Sequence, residues 1–435
     1  MTGSTQVCDA CGARSDALDP RVQCAVCDGL LHLEHPQPPT CARELRALFD
    51  ARLVPARGMS GAGPGDSGVW RFRELIMPGI PDDAIVTQAE GNTPLLARAR
   101  VAAWAGVDHL LLKHEGHNPT GSFKDRGMTV AITQAKRIGA TAVACASTGN
   151  TSSALASYAA LAGLPALVLV PAGKVALGKL SQTIAFGAQT LLVNGDFDDC
   201  LRLARESSEQ LGVYLANSIN PWRIEGQKTI IFDLLQQLRW QAPDWLVLPA
   251  GNLGNTAAFG AALREALRLG LLDRAPRLAC VQAAGSAPFA ASFRAQFATR
   301  HTVRAETIAT AIRIGDPASY DRAVRAIRDT DGVVVSVSDD AILEAKAVID
   351  ASGIGCEPAS AASVAGTRLL VHDGMIRPGD RVVALLTGHM LKDPEVMLAY
   401  HREIDPAPRF ANRSITIDAT LAAVERVLRT MMDAR

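Results

Sequence analysis

The stretch HNPTGSFKDRG, residues 117–127, decides the fold. A short apolar run, residues 109–113, precedes it and predicts a strand, and Asp125 begins a predicted helix. Lys124 therefore lies at the mouth of a strand-to-helix turn, where the helix dipole disfavours an ammonium ion and can lower the pKa of the amine. Such a lysine is suited to imine chemistry, although most lysines in such turns are ordinary surface residues.

The composition makes this lysine unusual. The chain has 435 residues and 44 basic side chains, of which only eight are lysine. Three of the eight, Lys124, Lys228 and Lys392, fall in motif-like stretches. The formal net charge is zero, which gives no basis for nucleic-acid or membrane-surface binding. The N-terminus has no signal-peptide pattern, so we predict a cytoplasmic protein with neither nucleic-acid nor membrane partners.

Four cysteines near the N-terminus have the spacing of a metal site. Two C-x2-C pairs separated by twelve residues favour a structural zinc site with the ligands Cys8, Cys11, Cys24 and Cys27. His32, His35 and Cys41 follow closely and could replace a cysteine or serve a second metal. Structural disulfides are the alternative, but nothing in the sequence indicates an oxidising compartment.

Strands and helices alternate regularly after a glycine-rich stretch, residues 58–68, which is typical of a linker. Short apolar strands between amphipathic helices predict two doubly wound α/β domains with mainly parallel sheets. The predicted helices cover residues 151–162, 175–186, 197–211, 225–240 and 255–269. The predicted domain limits are 1–57 for the cysteine-rich head, 58–108 for the start of the large domain, 109–212 for the smaller domain and 213–435 for the rest of the large domain, with a C-terminal helix.

Three polar loops follow predicted strands of this sheet pattern. They are STGNTSS (147–153), AGNLGN (250–255) and TGHMLKD (387–393). Ligands of parallel sheets bind at the carboxyl ends of the strands, and glycine amides at helix starts bind anions. We therefore expect the three loops and Lys124 to form one site.

Eight motifs recur in the order and spacing of a known family. They are GNTPLL (91–96), PTGSFKDRG (119–127), STGNTS (147–152), NSINPWRIEGQKT (217–229), PAGNLGN (249–255), ATAIRIGDPAS (309–319), CEPASAAS (356–363) and LTGHMLKDP (386–394). The chain resembles the pyridoxal-phosphate (PLP) enzymes of the tryptophan synthase β-subunit fold, fold type II, over about 370 residues from Ser67 onward. Within this fold it is most similar to the threonine synthases.

The resemblance implies a role for each matching residue. Lys124 would hold PLP covalently and move protons, Phe123 would pack near the ring, Asn150 would bond the ring hydroxyl and Thr387 would face the pyridine nitrogen. The cofactor phosphate would be bound by Gly251, Asn252, Leu253, Gly254 and Asn255. The substrate carboxylate would be bound by Ser147, Thr148 and Gly149, and the substrate phosphate by Thr151, Ser218 and Arg223.

The implied reaction is a β,γ-replacement that converts O-phospho-L-homoserine and water to L-threonine and phosphate. Alternatives are a cysteate synthase-like lyase acting on phosphoserine, a threonine or serine dehydratase, and an interaction protein in which the zinc head binds a partner. The family also suggests a homodimer. Met390 stands where the family commonly has glycine, which could alter the cofactor site. Deletion of the residues before Gly58 is expected to remove the metal and leave the cofactor bound.

Overall fold

The structure, a computed structural model, describes residues 3–53, 64–147, 149–173, 180–404 and 406–433. The chain divides into two compact units, Met1–Pro394 and Glu395–Arg435. The first unit contains three sheets and the candidate site. The second contains α-helical segments near the C-terminus. None of the helices in the described ranges combines the length and apolar character needed to cross a membrane.

The strands are β1 (Thr5–Cys8), β2 (Arg14–Asp16), β3 (Leu31–Glu34), β4 (Leu95–Ala97), β5 (His109–His114), β6 (Ala142–Ala146), β7 (Ala166–Pro171), β8 (Gln189–Val193), β9 (Val213–Leu215), β10 (Trp245–Pro249), β11 (Arg277–Ala283), β12 (Val333–Val337) and β13 (Arg381–Leu386). The helices are α1 (Ala42–Ala51), α2 (Arg73–Ile76), α3 (Ala99–Ala105), α4 (Lys124–Arg137), α5 (Asn150–Ala162), α6 (Ser181–Ala185), α7 (Phe197–Leu211), α8 (Pro221–Gln237), α9 (Gly254–Arg268), α10 (Pro288–Arg294), α11 (Tyr320–Asp329), α12 (Asp339–Asp350), α13 (Pro358–His372), α14 (Pro394–Arg402) and α15 (Leu421–Asp433).

Two mainly parallel sheets confirm the predicted fold class. The larger sheet has the order β12-β11-β10-β13-β5-β4, and only β4 runs antiparallel to its neighbour. The smaller sheet has the order β8-β7-β6-β9 and is wholly parallel. β6 and β10, the central strands that precede two of the polar loops, are almost entirely buried, because helices cover both faces of such sheets.

The structure differs from the predicted elements mainly at their ends. The predicted helix 225–240 begins earlier, at Pro221, with Asn220 as its N-cap. β4 and β9 are three residues long and were not predicted, because so short a run carries little periodic signal. Of the predicted helix 175–186, the structure shows Ser181–Ala185, and residues 174–179 lie outside the described ranges.

The cysteine-rich head forms a third, antiparallel sheet with the order β2-β1-β3, and it packs against the main body. Phe49 and Leu45 from α1 are buried in the same core as Phe72, whose ring centroid lies 5.0 Å from that of Phe49. The side chain of His35 contacts Glu225 of α8, with Nε2 and Oε2 3.0 Å apart. Deletion of the head would therefore open the main core, and we no longer expect such a truncation to leave the cofactor site intact.

The described end of the predicted linker is also packed. Ser67 is fully buried, and a Cβ atom on Gly68 would lie 2.1 Å from the amide nitrogen of Asn92. Residues 54–63 lie outside the described ranges, so the predicted boundary at residues 57 and 58 stays a prediction, as do the other domain limits.

Candidate active site

Two glycines let α4 and α8 cross in close contact. A Cβ atom on Gly127 would lie 2.8 Å from the carbonyl oxygen of Arg223, and one on Gly226 would lie 1.9 Å from that of Arg126. Any larger residue would push the helices apart. Lys124 and Arg223 belong to the first turns of α4 and α8, so this crossing brings two cationic side chains near each other.

Lys124 is the first residue of α4 and is partly buried. Its Nζ atom lies 4.1 Å from the centroid of the Phe123 ring. Burial, followed by the Arg223 charge, lowers the pKa of the Lys124 amine to about 7, against a weaker opposing effect of Glu357. Near neutral pH a large fraction of this amine is unprotonated and nucleophilic.

Arg223 is fully buried with most of its hydrogen-bonding capacity unused. Nη1 donates to the carbonyl oxygen of Ala216 at 3.0 Å, whereas Nε and Nη2 have no hydrogen-bond partner among the described residues. Burial lowers the pKa of the guanidinium to about 10, so Arg223 remains charged at neutral pH. A buried cation with free donors is costly unless an anion pairs with it.

The neighbouring charges on α4 and α8 are paired, which sets Lys124 and Arg223 apart. Arg126 bonds Glu115 through Nε at 2.7 Å and Asp233 through Nη2 at 2.6 Å. Lys113 also bonds Asp233, at 3.0 Å, and all four side chains are buried. This network was not predicted, although a Lys-His-Glu run at the end of an apolar strand is a visible signal in the sequence.

The loop 250–255 ends at the start of α9, where Leu253 occupies the N-cap position with a positive φ of 63° and no side-chain cap. A Cβ atom on Gly251 would lie 2.9 Å from the Cα atom of Ile312, so only glycine fits there. The side chain of Asn252 donates to Ser218 Oγ at 2.7 Å and accepts from the amide of Ala318 at 2.7 Å. The first amides of α9 are thus left without a side-chain cap, as in an anion site.

The loop after β6 is hydrogen-bonded to the segment before α8 through Asn217. The Asn217 side chain accepts from the Ala146 amide at 3.0 Å and donates to the Ala146 carbonyl at 3.1 Å. Gly149 precedes α5 without a side-chain cap, and its amide donates to Ser147 Oγ at 3.3 Å. Thr148 lies outside the described residues. Asn217 was not predicted as a site residue, although it lies in the motif at residues 217–229.

The third loop brings Asn150 and Thr387 to one carboxyl group. Nδ2 of Asn150 donates to Glu357 Oε2 at 2.9 Å, and Oγ1 of Thr387 donates to Oε1 of the same side chain at 3.0 Å. The carbonyl oxygen of Thr387 also accepts from the amide of Phe123, at 3.0 Å. Glu357 was quoted within a motif but not predicted as a site residue. Thr151 follows Asn150 on α5 and is partly buried.

The four N-terminal cysteines form a second cluster, in the head. Their sulfur atoms all lie within 4.8 Å of one another, with Cys8 and Cys27 at 3.5 Å and Cys11 and Cys24 at 3.6 Å. Four thiolates around a tetrahedral zinc ion are about 3.8 Å apart, given a Zn–S distance of about 2.3 Å.

The other three candidate ligands have different partners. His35 bonds Ser4 Oγ and Glu225, and His32 bonds Asp9 at 2.8 Å. Cys41 is the N-cap of α1 and is exposed. Among the described residues, none of the three joins the cluster.

Comparison with known proteins decides the family. Residues 86–388 match the family described as pyridoxal-phosphate dependent enzyme. The chain is 44% identical over 393 residues to threonine synthase of Methanosarcina acetivorans, which covers 90% of this chain and 93% of that protein. It is 39% identical over 428 residues to threonine synthase of Methanocaldococcus jannaschii, which covers 98% of this chain and 100% of that protein. The chain belongs to the threonine synthase family of pyridoxal-phosphate dependent enzymes.

A solved structure supports the fold. The crystal structure of threonine synthase from Escherichia coli matches 98% of this chain and 100% of that chain with a TM-score of 0.70. The sequences are 18% identical, so this likeness concerns the fold alone. The match to the Methanocaldococcus jannaschii protein extends over 98% of this chain and so includes residues of the head.

The site residues fit the cofactor of the family. PLP presents an aldehyde, a phosphate and a ring with two polar positions. Lys124 supplies an amine whose pKa is lowered to about 7, and the uncapped start of α9 supplies backbone amides for a phosphate.

The side chain of Met390 packs against Gly355. A Cβ atom on Gly355 would lie 2.6 Å from the Met390 sulfur, so the methionine side chain packs against bare backbone. The φ of Gly355 is 74°, a conformation that also favours glycine.

Proposed function

We propose that this chain converts O-phospho-L-homoserine and water to L-threonine and phosphate, with PLP as cofactor. The observation that carries the proposal is the pair formed by Lys124 and Arg223, two neighbouring cations without a bonded anion among the described residues. One cation is suited to bind an aldehyde and the other to bind a phosphate. The relatives reported above are threonine synthases of several organisms, which supports threonine as the product.

The cofactor residues act as follows in the proposal. Lys124 binds PLP covalently and moves protons at the substrate, and Phe123 packs beside it. The amides of the α9 start hold the cofactor phosphate, through the residues Gly251, Asn252, Leu253, Gly254 and Asn255. Asn150 and Thr387 bond the two polar positions of the ring. PLP itself supplies the delocalisation of electrons from the substrate α-carbon.

The proposed substrate residues belong to the first turns of α5 and α8 and to the loops before these helices. Ser147, Thr148 and Gly149 bind the substrate carboxylate at the uncapped helix start. Thr151, Ser218 and Arg223 bind the phosphate, with Arg223 offering the free Nε and Nη2 groups as a fork. The hydrogen bond from Asn252 to Ser218 links the cofactor loop directly to the phosphate site.

A structural zinc ion completes the proposal for the head. Cys8, Cys11, Cys24 and Cys27 would supply four thiolates, which leaves no open position for a catalytic water. We also propose the homodimer that the family suggests, and the domain limits predicted from the sequence.

The test follows release of phosphate and threonine from O-phosphohomoserine by the protein and by Arg223→Leu. A site built for a buried polar group rejects an analogue without it by something like ~10⁴-fold. Arg223→Leu should therefore lose most of kcat/KM with O-phosphohomoserine and little with an unphosphorylated amino acid. Arg202→Leu, at an exposed position of α7 where it pairs with Asp199 and Glu206 of the same helix, is the control and should keep the activity.

Competing substrates decide between the alternatives. Phosphoserine with sulfite and free threonine are offered in the same assay. Preference for phosphoserine would keep the phosphate site and change the product. Turnover of free threonine equal to or better than that of O-phosphohomoserine would overturn the proposal and favour a dehydratase.

A further inference from the structure

Glu357 is a buried carboxyl group that no step above requires. It precedes α13, its side chain is 4% exposed, and its amide donates to the carbonyl oxygen of Gly388 at 3.0 Å. A Cβ atom on Gly388 would lie 2.5 Å from the carboxyl carbon of Glu357. The carboxyl group is therefore fixed against bare backbone, with Asn150 on one oxygen and Thr387 on the other.

The protons of the neighbouring hydroxyls can be assigned by counting donors and acceptors. Ser360 Oγ accepts from the amides of Thr387 at 2.8 Å and Gly388 at 3.0 Å, so both of its lone pairs are used. Ser360 Oγ lies 2.9 Å from Thr387 Oγ1, and its one proton must be donated there. The proton of Thr387 in turn is donated to Glu357.

This order leaves Thr387 with one free lone pair and no free proton. Towards a ligand, Thr387 can therefore only accept a hydrogen bond as long as Glu357 is ionised. Burial raises the pKa of Glu357, whereas the bonds from Asn150 and Thr387 and the charges of Lys392 and Lys124 oppose this rise. The same carboxylate uses one N–H of Asn150 and orients the other for a second acceptor.

We propose that Glu357 is a positioning residue that orients Asn150 and Thr387 so that the cofactor ring nitrogen meets an acceptor and is held in its protonated form. This rests on the proposed function, in which Thr387 faces that nitrogen. A protonated ring withdraws electrons more strongly than a neutral one. The Thr387 hydroxyl alone would suit a neutral ring. Because its proton is donated to the buried carboxylate of Glu357, it presents an acceptor to the ring nitrogen instead.

The experiment uses the holoenzyme loaded with PLP that carries ¹⁵N at the ring nitrogen. The ¹⁵N shift of the wild-type protein should lie in the protonated range. Glu357→Gln has one acceptor oxygen instead of two, so Asn150 or Thr387 loses its partner, and the shift should move towards that of a neutral ring. The value of kcat should fall roughly tenfold or more, with a smaller change in KM.

Further variants keep the result interpretable if Glu357→Gln folds poorly. Thr387→Val removes the hydroxyl at similar volume and should move the shift in the same direction. Ser363→Ala removes a buried hydroxyl of α13 that, within the described part of the chain, bonds only the backbone carbonyls of Ser360 and Leu385, and it should leave the shift unchanged.

The outcomes separate this inference from the proposed function. A neutral ring nitrogen in active wild-type protein that carries the cofactor on Lys124 would overturn the positioning role of Glu357. The same conclusion would follow if Glu357→Gln and Thr387→Val both fold and both keep the wild-type ¹⁵N shift. An unlabelled Lys124, or no threonine from O-phosphohomoserine, would instead overturn the proposed function.

Discussion

The cysteine cluster and the pair of Lys124 and Arg223 each bring side chains of like charge close together. The charges are negative in the cluster and positive in the pair. Four sulfur atoms within 4.8 Å of one another become a concentration of negative charge when ionised. Lys124 and Arg223 gather positive charge, and Arg223 Nε and Nη2 have no partner among the described residues. Each group is therefore suited to a ligand of opposite charge, a metal cation in the head and anions in the body.

The two regions differ in the sequence separation between their residues. The cysteines come from 20 consecutive residues around a small sheet, with a local core of Cys8, Cys24 and Leu31. The cationic pair depends on two helices whose first residues are almost 100 positions apart, and on glycines that let these helices touch. The cysteines have a small local core, whereas the two crossing helices are buried in the large core of the body. A bound metal would therefore stabilise the head more than a ligand would stabilise the helix crossing.

The largest expected effect is the loss of the amine. Lys124→Ala should reduce turnover by ~10⁴-fold or more, because no other side chain of the loop can bind the aldehyde and move the proton. Borohydride reduction should attach the cofactor to Lys124 in the wild-type protein and to no residue in the variant. Lys136→Ala, exposed on the same helix, is the control. Full activity of Lys124→Ala, or a label on another lysine, would contradict the mechanism.

Loss of one thiolate should affect the head alone at first. Cys24→Ser should reduce the zinc content from about one ion per chain to near zero and expose β1–β3 to hydrogen exchange, because their local core is small. Cys41→Ser removes an exposed thiol outside the cluster and should keep the metal. Metal analysis of freshly prepared, reduced protein checks this result, and a disulfide map that pairs the four cysteines would speak against zinc.

A change inside the shared core tests whether head and body unfold together. Phe49→Ala should lower the free energy of unfolding by about 3–5 kcal/mol, because the ring is fully buried against Phe72 and Trp240. Leu48→Ala, at a partly exposed position of α1, should cost much less. Denaturant titration should show one transition that shifts as a whole. A separate early transition with an unchanged main one would mean that the head is an independent domain.

The smallest effect concerns the pH dependence of cofactor binding. Only the neutral amine reacts with the aldehyde, and the pKa of Lys124 is lowered to about 7. The rate of PLP capture by the apoprotein should therefore fall about tenfold per pH unit below 7 and level off above about pH 8. Arg223→Leu removes a neighbouring cation. Its removal favours the ammonium form of Lys124 and should move the midpoint of the rate profile to higher pH. A rate that still rises towards pH 10 in the wild-type protein would show an unperturbed lysine.

Much of the fold could be predicted because its signals are local. The helix at 197–211 has the bounds that were predicted, since periodicity and N-caps are properties of neighbouring residues. The family and its cofactor were indicated by motifs that lie at strand ends. The packing of the head was not predicted, because burial of Phe49 depends on residues almost 200 positions away.

The sequence by itself determined that a lysine begins a helix after a strand, that four cysteines are spaced for one ion, and that glycine-rich turns follow parallel strands. These depend on short separations along the chain and survive any arrangement of the domains. Only the tertiary structure decided which charges are paired. Arg126 and Arg223 are both buried arginines in motifs, yet one bonds two carboxylates and the other none among the described residues. That difference, like the place of Glu357 between Asn150 and Thr387, arises from long-range packing, because a charge is neutralised by whatever the fold brings within hydrogen-bond distance.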